Sequence, residues 1–110
     1  MTPGPARPND RYHVDFPIHI SWQDRAGQIR TAAARCRDLS ASGLHAETKD
    51  PLTPHTLVLI QSGIFGRIGN ASVRYCRREG MKYSVGLHFS SSFELSDPVR
   101  KKLLEQVLTD

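Results

Sequence analysis

The stretch YHVDFPIHISW, residues 12–22, decides the fold of this chain. Hydrophobic residues at every second position from Val14 to Ile20 alternate with polar ones, which is the period of a strand with one buried face. Pro17 falls inside this alternation, so we expect a sheet edge or a bulge there. The chain therefore enters its folded part through a long, half-buried β-strand.

Five further segments have the composition of strands, and turn residues such as Asp24–Gly27 and Glu79–Gly80 separate them. In the fifth strand, Val73 and Tyr75 share one predicted face. Ser96 followed by Asp97 and Pro98 predicts the start of a helix, and apolar residues spaced three to five apart follow it. The predicted strands after the first cover residues 28–37, 44–47, 56–60, 68–77 and 83–89.

Six short strands and one terminal helix predict an all-β fold, namely a six-stranded antiparallel β-barrel with a C-terminal α-helix. We divide the chain into a flexible arginine-containing arm (1–12), the barrel (13–92) and the C-terminal helix (93–110). The length of 110 residues and a hydrophobic content of 38% suit one globular domain. The helix is expected to cover the barrel with its apolar stripe, or else to serve a partner or a second copy.

The sequence gives no sign of export or membrane insertion. It contains no apolar run long enough to span a bilayer, and its first residues lack the hydrophobic region of a signal peptide. We therefore expect a cytoplasmic protein. Cys36 and Cys76 are too few for a disulfide framework, and both are expected to be reduced and buried.

Catalytic and metal-binding patterns are missing from the sequence. The five histidines are not paired as HxxxH or HExxH, and neither cysteine has a CxxC neighbour, so no metal site is expected. No GxSxG, Walker or GxGxxG stretch is present. We expect neither an enzyme nor a protein with a bound cofactor.

Charge and turn chemistry point instead to an anionic ligand. The net charge is +4, and eleven of the fifteen basic residues are arginine, whose planar fork suits phosphates and guanine edges. Arg7 and Arg11 lie four apart in the arm, and Asp38, Ser40 and Gly43 share one short turn. Taken separately, the arginines fit a solvated surface, and Asp, Ser and Gly fit ordinary turn chemistry.

Together, and in this order, the two motifs resemble the PilZ domain, a family of bacterial receptors for the second messenger cyclic di-GMP. Arg7-x-x-x-Arg11 matches the family's RxxxR motif. Asp38-x-Ser40-x-x-Gly43, which occurs once in the chain, matches (D/N)xSxxG. The segment YSVGLHF, residues 83–89, is similar to the family's last strand. The resemblance covers roughly residues 7–108, although Ala6 stands where many members carry a further arginine.

The resemblance implies a nucleotide-binding receptor for cyclic di-GMP that changes conformation and signals to a protein partner. Arg7 and Arg11 would hold guanine edges or phosphates, and Asp38 would accept from a guanine or orient an arginine. Ser40 would bond a base or phosphate oxygen, and Gly43 would allow the ligand close to the backbone. A second group of candidates has weaker support and consists of Arg35, Arg37, Arg74, Tyr75 and Arg77.

Within that second group, Tyr75 could stack on a guanine, although its shared parity with Val73 favours the core at least equally. Two other functions remain open. One is a protein-interaction adaptor with the same fold and no ligand. The other is a basic barrel that binds nucleic acid, which would need exposed aromatic residues among the arginines and is less expected. The protein would be a monomer or a dimer linked by ligand.

Overall fold

The computed structural model describes residues 11–107, and the proposed arm is therefore outside it up to residue 10. In the described part, strands succeed one another until a single helix follows the last of them. Their bounds are β1 (Tyr12–Gln23), β2 (Ile29–Leu39), β3 (Gly43–Thr48), β4 (Leu57–Ser62), β5 (Gly66–Glu79), β6 (Lys82–Phe89) and α1 (Asp97–Gln106).

The strands form a closed antiparallel barrel in the order β1-β2-β3-β6-β5-β4. Strand β4 closes the barrel by pairing with β1 at His19–Ser21. Pro17 lies just outside that pairing and has a register partner on β2 only, so its missing amide hydrogen sits where β1 pairs with one strand. The structure confirms the predicted six-stranded antiparallel barrel and the C-terminal helix.

The core fills the inside of the barrel with the residues that the alternation predicted. Val14, Phe16, Ile18 and Ile20 are each at most 1% exposed. Burial of an aliphatic or aromatic side chain of this size contributes about 1.5–3 kcal/mol, so these side chains dominate the stability of β1. Cys36 is also fully buried as predicted, whereas Cys76 is only half-buried.

Helix α1 covers one part of the barrel wall. The helix contacts β1. Its Leu103 is fully buried, while Leu104 is 59% exposed. Just after the helix, Val107 forms a β-bridge with Val14. The predicted helix start at Asp97 and Pro98 is confirmed, but Ser96 makes no capping side-chain hydrogen bond.

Candidate functional site

Four β-bulges interrupt the pairing of the described strands, and three of them lie outside the β4–β5 pair and bear on the motif residues. These three interrupt the pairing of β1 between His13 and Phe16, of β2 between Cys36 and Asp38, and of β5 between Val73 and Tyr75. An extra residue in a strand reverses which face the following side chains take. The bulges in β2 and β5 therefore turn Asp38 and Tyr75 away from the core, where alternation from Cys36 and Val73 would place them inward. In β1 the alternation of buried Val14 and Phe16 continues through the bulge.

Tyr75 shows the effect most clearly. Val73 is fully buried, yet Tyr75 two positions later is 37% exposed, because the bulge at Arg74 breaks the alternation. The expectation that Tyr75 shares the core-facing parity of Val73 is therefore wrong. Its ring lies on the outside of the barrel, where the guanidinium carbon of Arg77 stands 4.8 Å from the ring centroid.

The three bulges align five residues across the barrel surface. Register pairs join neighbouring strands in one continuous line, which we call the outer row. Each member lies on a different strand, so only the folded barrel brings the five residues together. From β1 to β5 the outer row consists of His13, Asp38, His45, Gly86 and Tyr75.

Arg11 and Asp38, the two described charged residues of the sequence motifs, meet beside this row. Arg11 Nη1 donates a hydrogen bond of 2.7 Å to Asp38 Oδ1. The Arg11 side chain remains 60% exposed, so an anion in solvent can reach its guanidinium. Arg7, the other motif arginine, lies outside the described residues.

The turn between β2 and β3 is held by Ser40. Its side chain is only 1% exposed, and its Oγ donates to the carbonyl of Gly43 at 3.2 Å while accepting from the amide of Ser42 at 3.3 Å. The Ser40 amide also donates to the Gly43 carbonyl. These bonds assign Ser40 to building the turn. A direct bond from Ser40 to a ligand stays a prediction.

Gly43 is required by the neighbouring strand. A Cβ at this position would lie 2.2 Å from the backbone carbonyl oxygen of Leu87 on β6. Its backbone does not adopt the left-handed conformation that turn chemistry suggested. Gly43 therefore allows β3 and β6 to approach one another closely at the floor of the site, and any approach of a ligand to its backbone remains a prediction.

A cleft of about 220 Å³ opens next to Arg11, over β3, β6 and β5. It is smaller than a typical drug-sized pocket, so a nucleotide ligand would extend beyond it along the barrel surface. Arg74 and Tyr75 from the second group of candidates line it, as do both motif residues Arg11 and Gly43. Its remaining lining residues are Ser42, Leu44, His45, Gly86, Leu87 and His88.

Arg35 and Arg37 are engaged elsewhere. Arg35 Nε donates to Asp15 Oδ1 at 2.5 Å, and Arg37 bridges Asp15 at 3.6 Å and Glu47 at 3.2 Å. The hydrogen bond from Arg35 holds the pKa of Asp15 below its ordinary value of 3.8, despite an opposing effect of burial. Arg35 and Arg37 already pair with carboxylates, and they do not line the cleft. They are therefore weaker ligand candidates than Arg74 or Arg77.

The two sequence motifs do not include His45 and Ser84, which also lie at the site. His45 Nδ1 lies 3.6 Å from Asp38 Oδ2, and His45 Nε2 shares a short hydrogen bond with Ser84 Oγ. One signal was available, because His45 sits between the inward-facing Leu44 and Ala46 and so had to point outward. Its proximity to Asp38 depends on the β2–β3 register, which spacing alone does not give.

Two further features are absent from residues 11–107. No group of three or more His, Cys, Asp and Glu side chains there is placed to hold a metal ion. In the same part of the chain, no helix has the length and apolarity needed to cross a membrane.

Solved structures with PilZ domains resemble this one. The PilZ domain of YcgR from Escherichia coli, determined with c-di-GMP, gives a TM-score of 0.54 at 16% sequence identity, over 86% of this chain and 83% of that chain. MrkH of K. pneumonia gives a TM-score of 0.57 at 14% identity, over 94% of this chain and 48% of that chain. This chain thus spans about half the length of MrkH.

No protein-family model matches the sequence, and no curated protein matches it either. The structural similarity by itself establishes the fold, and that fold is the PilZ-like barrel that the two sequence motifs predicted.

Proposed function

We propose that this domain is a receptor for cyclic di-GMP, which binds on the outside of the barrel beside the outer row. The observation that carries the proposal is the 2.7 Å ion pair between Arg11 and Asp38, which are 27 residues apart. It joins the two halves of the PilZ sequence motif at the edge of one cleft. The solved PilZ domain of YcgR, which has the same fold, was determined with this ligand.

The chemistry of the cleft suits a dianionic ligand with two guanines. Arg11 offers N–H groups to a phosphate or to guanine O6 and N7, and Arg7 would supply a second guanidinium. Asp38 accepts only, so it orients Arg11 and can also receive a guanine N–H. Exposed Arg74 adds positive charge on the opposite side of the cleft.

Tyr75 and Arg77 provide a planar surface at the end of the outer row. A guanine base stacks favourably on an aromatic ring or on a guanidinium plane, and such contacts contribute about 1–3 kcal/mol per base in nucleic-acid complexes. Tyr75 is 37% exposed, so its ring is accessible to a base. No bond is made or broken in this scheme, because occupancy of the site is the signal.

Signalling to a protein partner forms the second part of the proposal. Val107, just after α1, pairs with Val14, which lies three residues after Arg11 on β1. A ligand that binds Arg7 and Arg11 would draw the segment before β1 onto the barrel, next to β1, the strand that α1 contacts. The ligand could thereby change the surface that α1 and β1 present to an effector.

One feature favours the adaptor function as the second candidate. Ile29 and Leu57 are 70% and 73% exposed, and they border an open cleft of about 610 Å³ that Trp22 also lines. Exposed apolar side chains of this kind are typical of protein-contact surfaces. A receptor can also act as an adaptor. A measurement of cyclic di-GMP binding distinguishes a receptor from a ligand-free adaptor.

A nucleic-acid interface has less support. Among residues 11–107, Tyr75 is the one aromatic side chain that is more than about a third exposed, whereas single-strand binding uses several stacking residues along a basic groove. The described barrel therefore lacks the row of exposed aromatic residues that this function needs.

The test is isothermal titration of cyclic di-GMP into the wild-type protein and into Arg7→Ala/Arg11→Ala. We expect a dissociation constant of about 1 µM or tighter for the wild type and no measurable binding for the double variant. Arg25→Ala/Arg67→Ala removes the same charge from exposed positions outside the cleft and should bind normally. A folded wild-type protein that gives no heat would rule out the receptor and leave the adaptor.

The same titration gives the stoichiometry, and therefore separates one bound ligand from an intercalated pair. Sedimentation of the loaded protein then shows whether a ligand pair links two monomers into a dimer.

A further inference from the structure

His45 occupies the centre of the outer row and has a polar partner on each side. Its Nδ1 lies 3.6 Å from Asp38 Oδ2, which is too long for a hydrogen bond but within ion-pair distance. Its Nε2 shares a hydrogen bond with Ser84 Oγ on β6. Arg11 holds the other oxygen of the same carboxylate, so Arg11 and His45 bind Asp38 without competing.

Asp38 and Ser84 are compatible with both the neutral and the protonated imidazole of His45. A carboxylate only accepts hydrogen bonds, so the neutral ring is favoured with its proton on Nδ1 and with Nε2 accepting from the Ser84 hydroxyl. When a second proton binds Nε2, the Ser84 hydroxyl rotates and accepts instead. The heavy atoms need not move, and the protonated ring then lies beside Asp38 as a cation.

We propose that His45 is a positioning residue of the ligand site and that its protonation strengthens the binding of cyclic di-GMP. The inference rests on the proposed receptor function, since it concerns the same cleft. His45 lines that cleft, so an imidazolium there adds positive charge next to a ligand with two phosphodiesters. The protonated ring would also attract Asp38, whose other oxygen holds Arg11.

A pH dependence of binding needs a titratable group at the site, and His45 is one of several there. Between about pH 5 and pH 8 only histidines among them change charge, so His13 and His88 are the alternatives to exclude. His13 pairs with Asp38 in the register, and His88 lines the cleft. The other charged or titratable groups near His45 are Arg11, Asp38, Arg74 and Tyr75. Glu47 and Arg77 are the register partners of Ser84, the hydroxyl partner of His45.

The first test is titration of cyclic di-GMP at about pH 6 and about pH 8, a range over which the ligand keeps its charge. The wild-type affinity should be about three- to tenfold higher at the lower pH, the effect of one partly exposed charge near a dianion. His45→Gln keeps a polar side chain but cannot gain a charge, so its affinity should be the same at both pH values. His13→Gln and His88→Gln should respond to pH as the wild type does.

The second test measures protons directly. Titrations near neutral pH in two buffers with different heats of ionisation should show net proton uptake on binding by the wild type and none by His45→Gln. Should His45→Gln fail to fold, His13→Gln/His88→Gln decides, because it retains His45 and should still take up protons. A purely structural role of His45 would change affinity without changing proton uptake.

The outcomes separate this inference from the receptor function. Binding that is equal at both pH values, or proton uptake that survives His45→Gln, would overturn the role of His45 and leave the receptor intact. No binding by the folded wild type at either pH would overturn both.

Discussion

The ring of Tyr75 on β5 lies over Gly86 on β6, where a Cβ atom would come within 2.2 Å of Tyr75 Cε1. The two residues are register partners across the β5–β6 pair, so the absence of a side chain at Gly86 leaves the space that the ring occupies. The bulge at Arg74 brings the ring to this face. Gly86 and the bulge together place the aromatic surface of the site.

Gly86→Ala should therefore displace Tyr75. The colliding atoms belong to a side chain that can rotate away, so we expect a loss of unfolding free energy of about 1 kcal/mol, at the low end for overpacking. The affinity for cyclic di-GMP should fall by about tenfold or more as the stacking surface moves. Thermal denaturation and titration measure the two effects.

The double variant Tyr75→Ala/Gly86→Ala provides the control. Removing the ring relieves the collision, so this variant should be no less stable than Tyr75→Ala alone. If Gly86→Ala binds the ligand as tightly as the wild type does, Tyr75 is not part of the binding surface.

Gly43→Ala should cost more stability, because the atom in its way is backbone. The added Cβ would lie 2.2 Å from the Leu87 carbonyl oxygen, and relieving the collision requires β3 and β6 to separate. We expect a loss of about 2–3 kcal/mol of unfolding free energy in denaturant titrations. At Gly63 a Cβ meets nothing within 4 Å, so Gly63→Ala should leave stability nearly unchanged and serves as the matched control. Equal stability of the two variants would contradict the close approach of β3 and β6.

The ion pair between Arg35 and Asp15 predicts a component of acid sensitivity. Because the pKa of Asp15 is lowered in the folded protein from 3.8, its stabilising effect is complete above pH 3.8 and disappears as the pH falls below that value. Denaturant midpoints measured across this range should decline less steeply for Asp15→Asn than for the wild type. Asp50→Asn, at an exposed carboxylate that forms no ion pair within residues 11–107, should decline as the wild type does. Parallel curves for Asp15→Asn and the wild type would show that Asp15 is not linked to folding.

The two cysteines should differ in reactivity. Burial, reinforced by the negative charges of Asp38 and Asp15, raises the pKa of the Cys36 thiol to about 12, and its side chain is inaccessible. Cys76 is half-buried. A thiol-reactive aromatic disulfide should therefore modify one thiol in the native protein and two after denaturation. Cys76→Ala should abolish the native reaction, and a native reaction that persists in this variant would show that Cys36 is reachable.

The barrel could be predicted because its signal is local. The alternation from Val14 to Ile20 and in the later strands reflects burial of one face, and burial is decided by neighbouring residues within each strand. The turn at Ser40 to Gly43 was likewise visible from residue type. What spacing could not give was the physical reason for Gly43, because the Leu87 carbonyl that excludes a side chain lies 44 positions further on.

The details of the site escaped prediction because bulges and register are tertiary properties. One extra residue at Arg74 moved Tyr75 from the predicted inner face to the outer face. The β2–β3 register brought His45 to Asp38 and Arg37 to Glu47, and the β1–β2 pairing brought Arg35 to Asp15. The sequence signal was strong enough to single out only the residues of the two motifs, which are Arg7, Arg11, Asp38, Ser40 and Gly43.

The stability of the protein should hardly depend on the ion pair that defines the site. Because the Arg11 side chain is 60% exposed, Arg11→Ala should change the free energy of unfolding by less than about 1 kcal/mol. Its effect on binding should be larger, about 10- to 100-fold, since hydrogen bonds to charged groups contribute about 1.5–3 kcal/mol. Denaturation and binding measured on the same samples separate the two roles.

The most direct test of the account is a double-mutant cycle on Arg11 and Asp38, with cyclic di-GMP affinity as the readout. Titrations of the wild type, Arg11→Ala, Asp38→Asn and the double variant give the coupling energy between the two residues. The account predicts that each single variant loses most of the affinity and that the double variant loses little more, for a coupling of at least about 1 kcal/mol. Affinities that remain at the wild-type level, or losses that simply add, would contradict a binding site built on this pair.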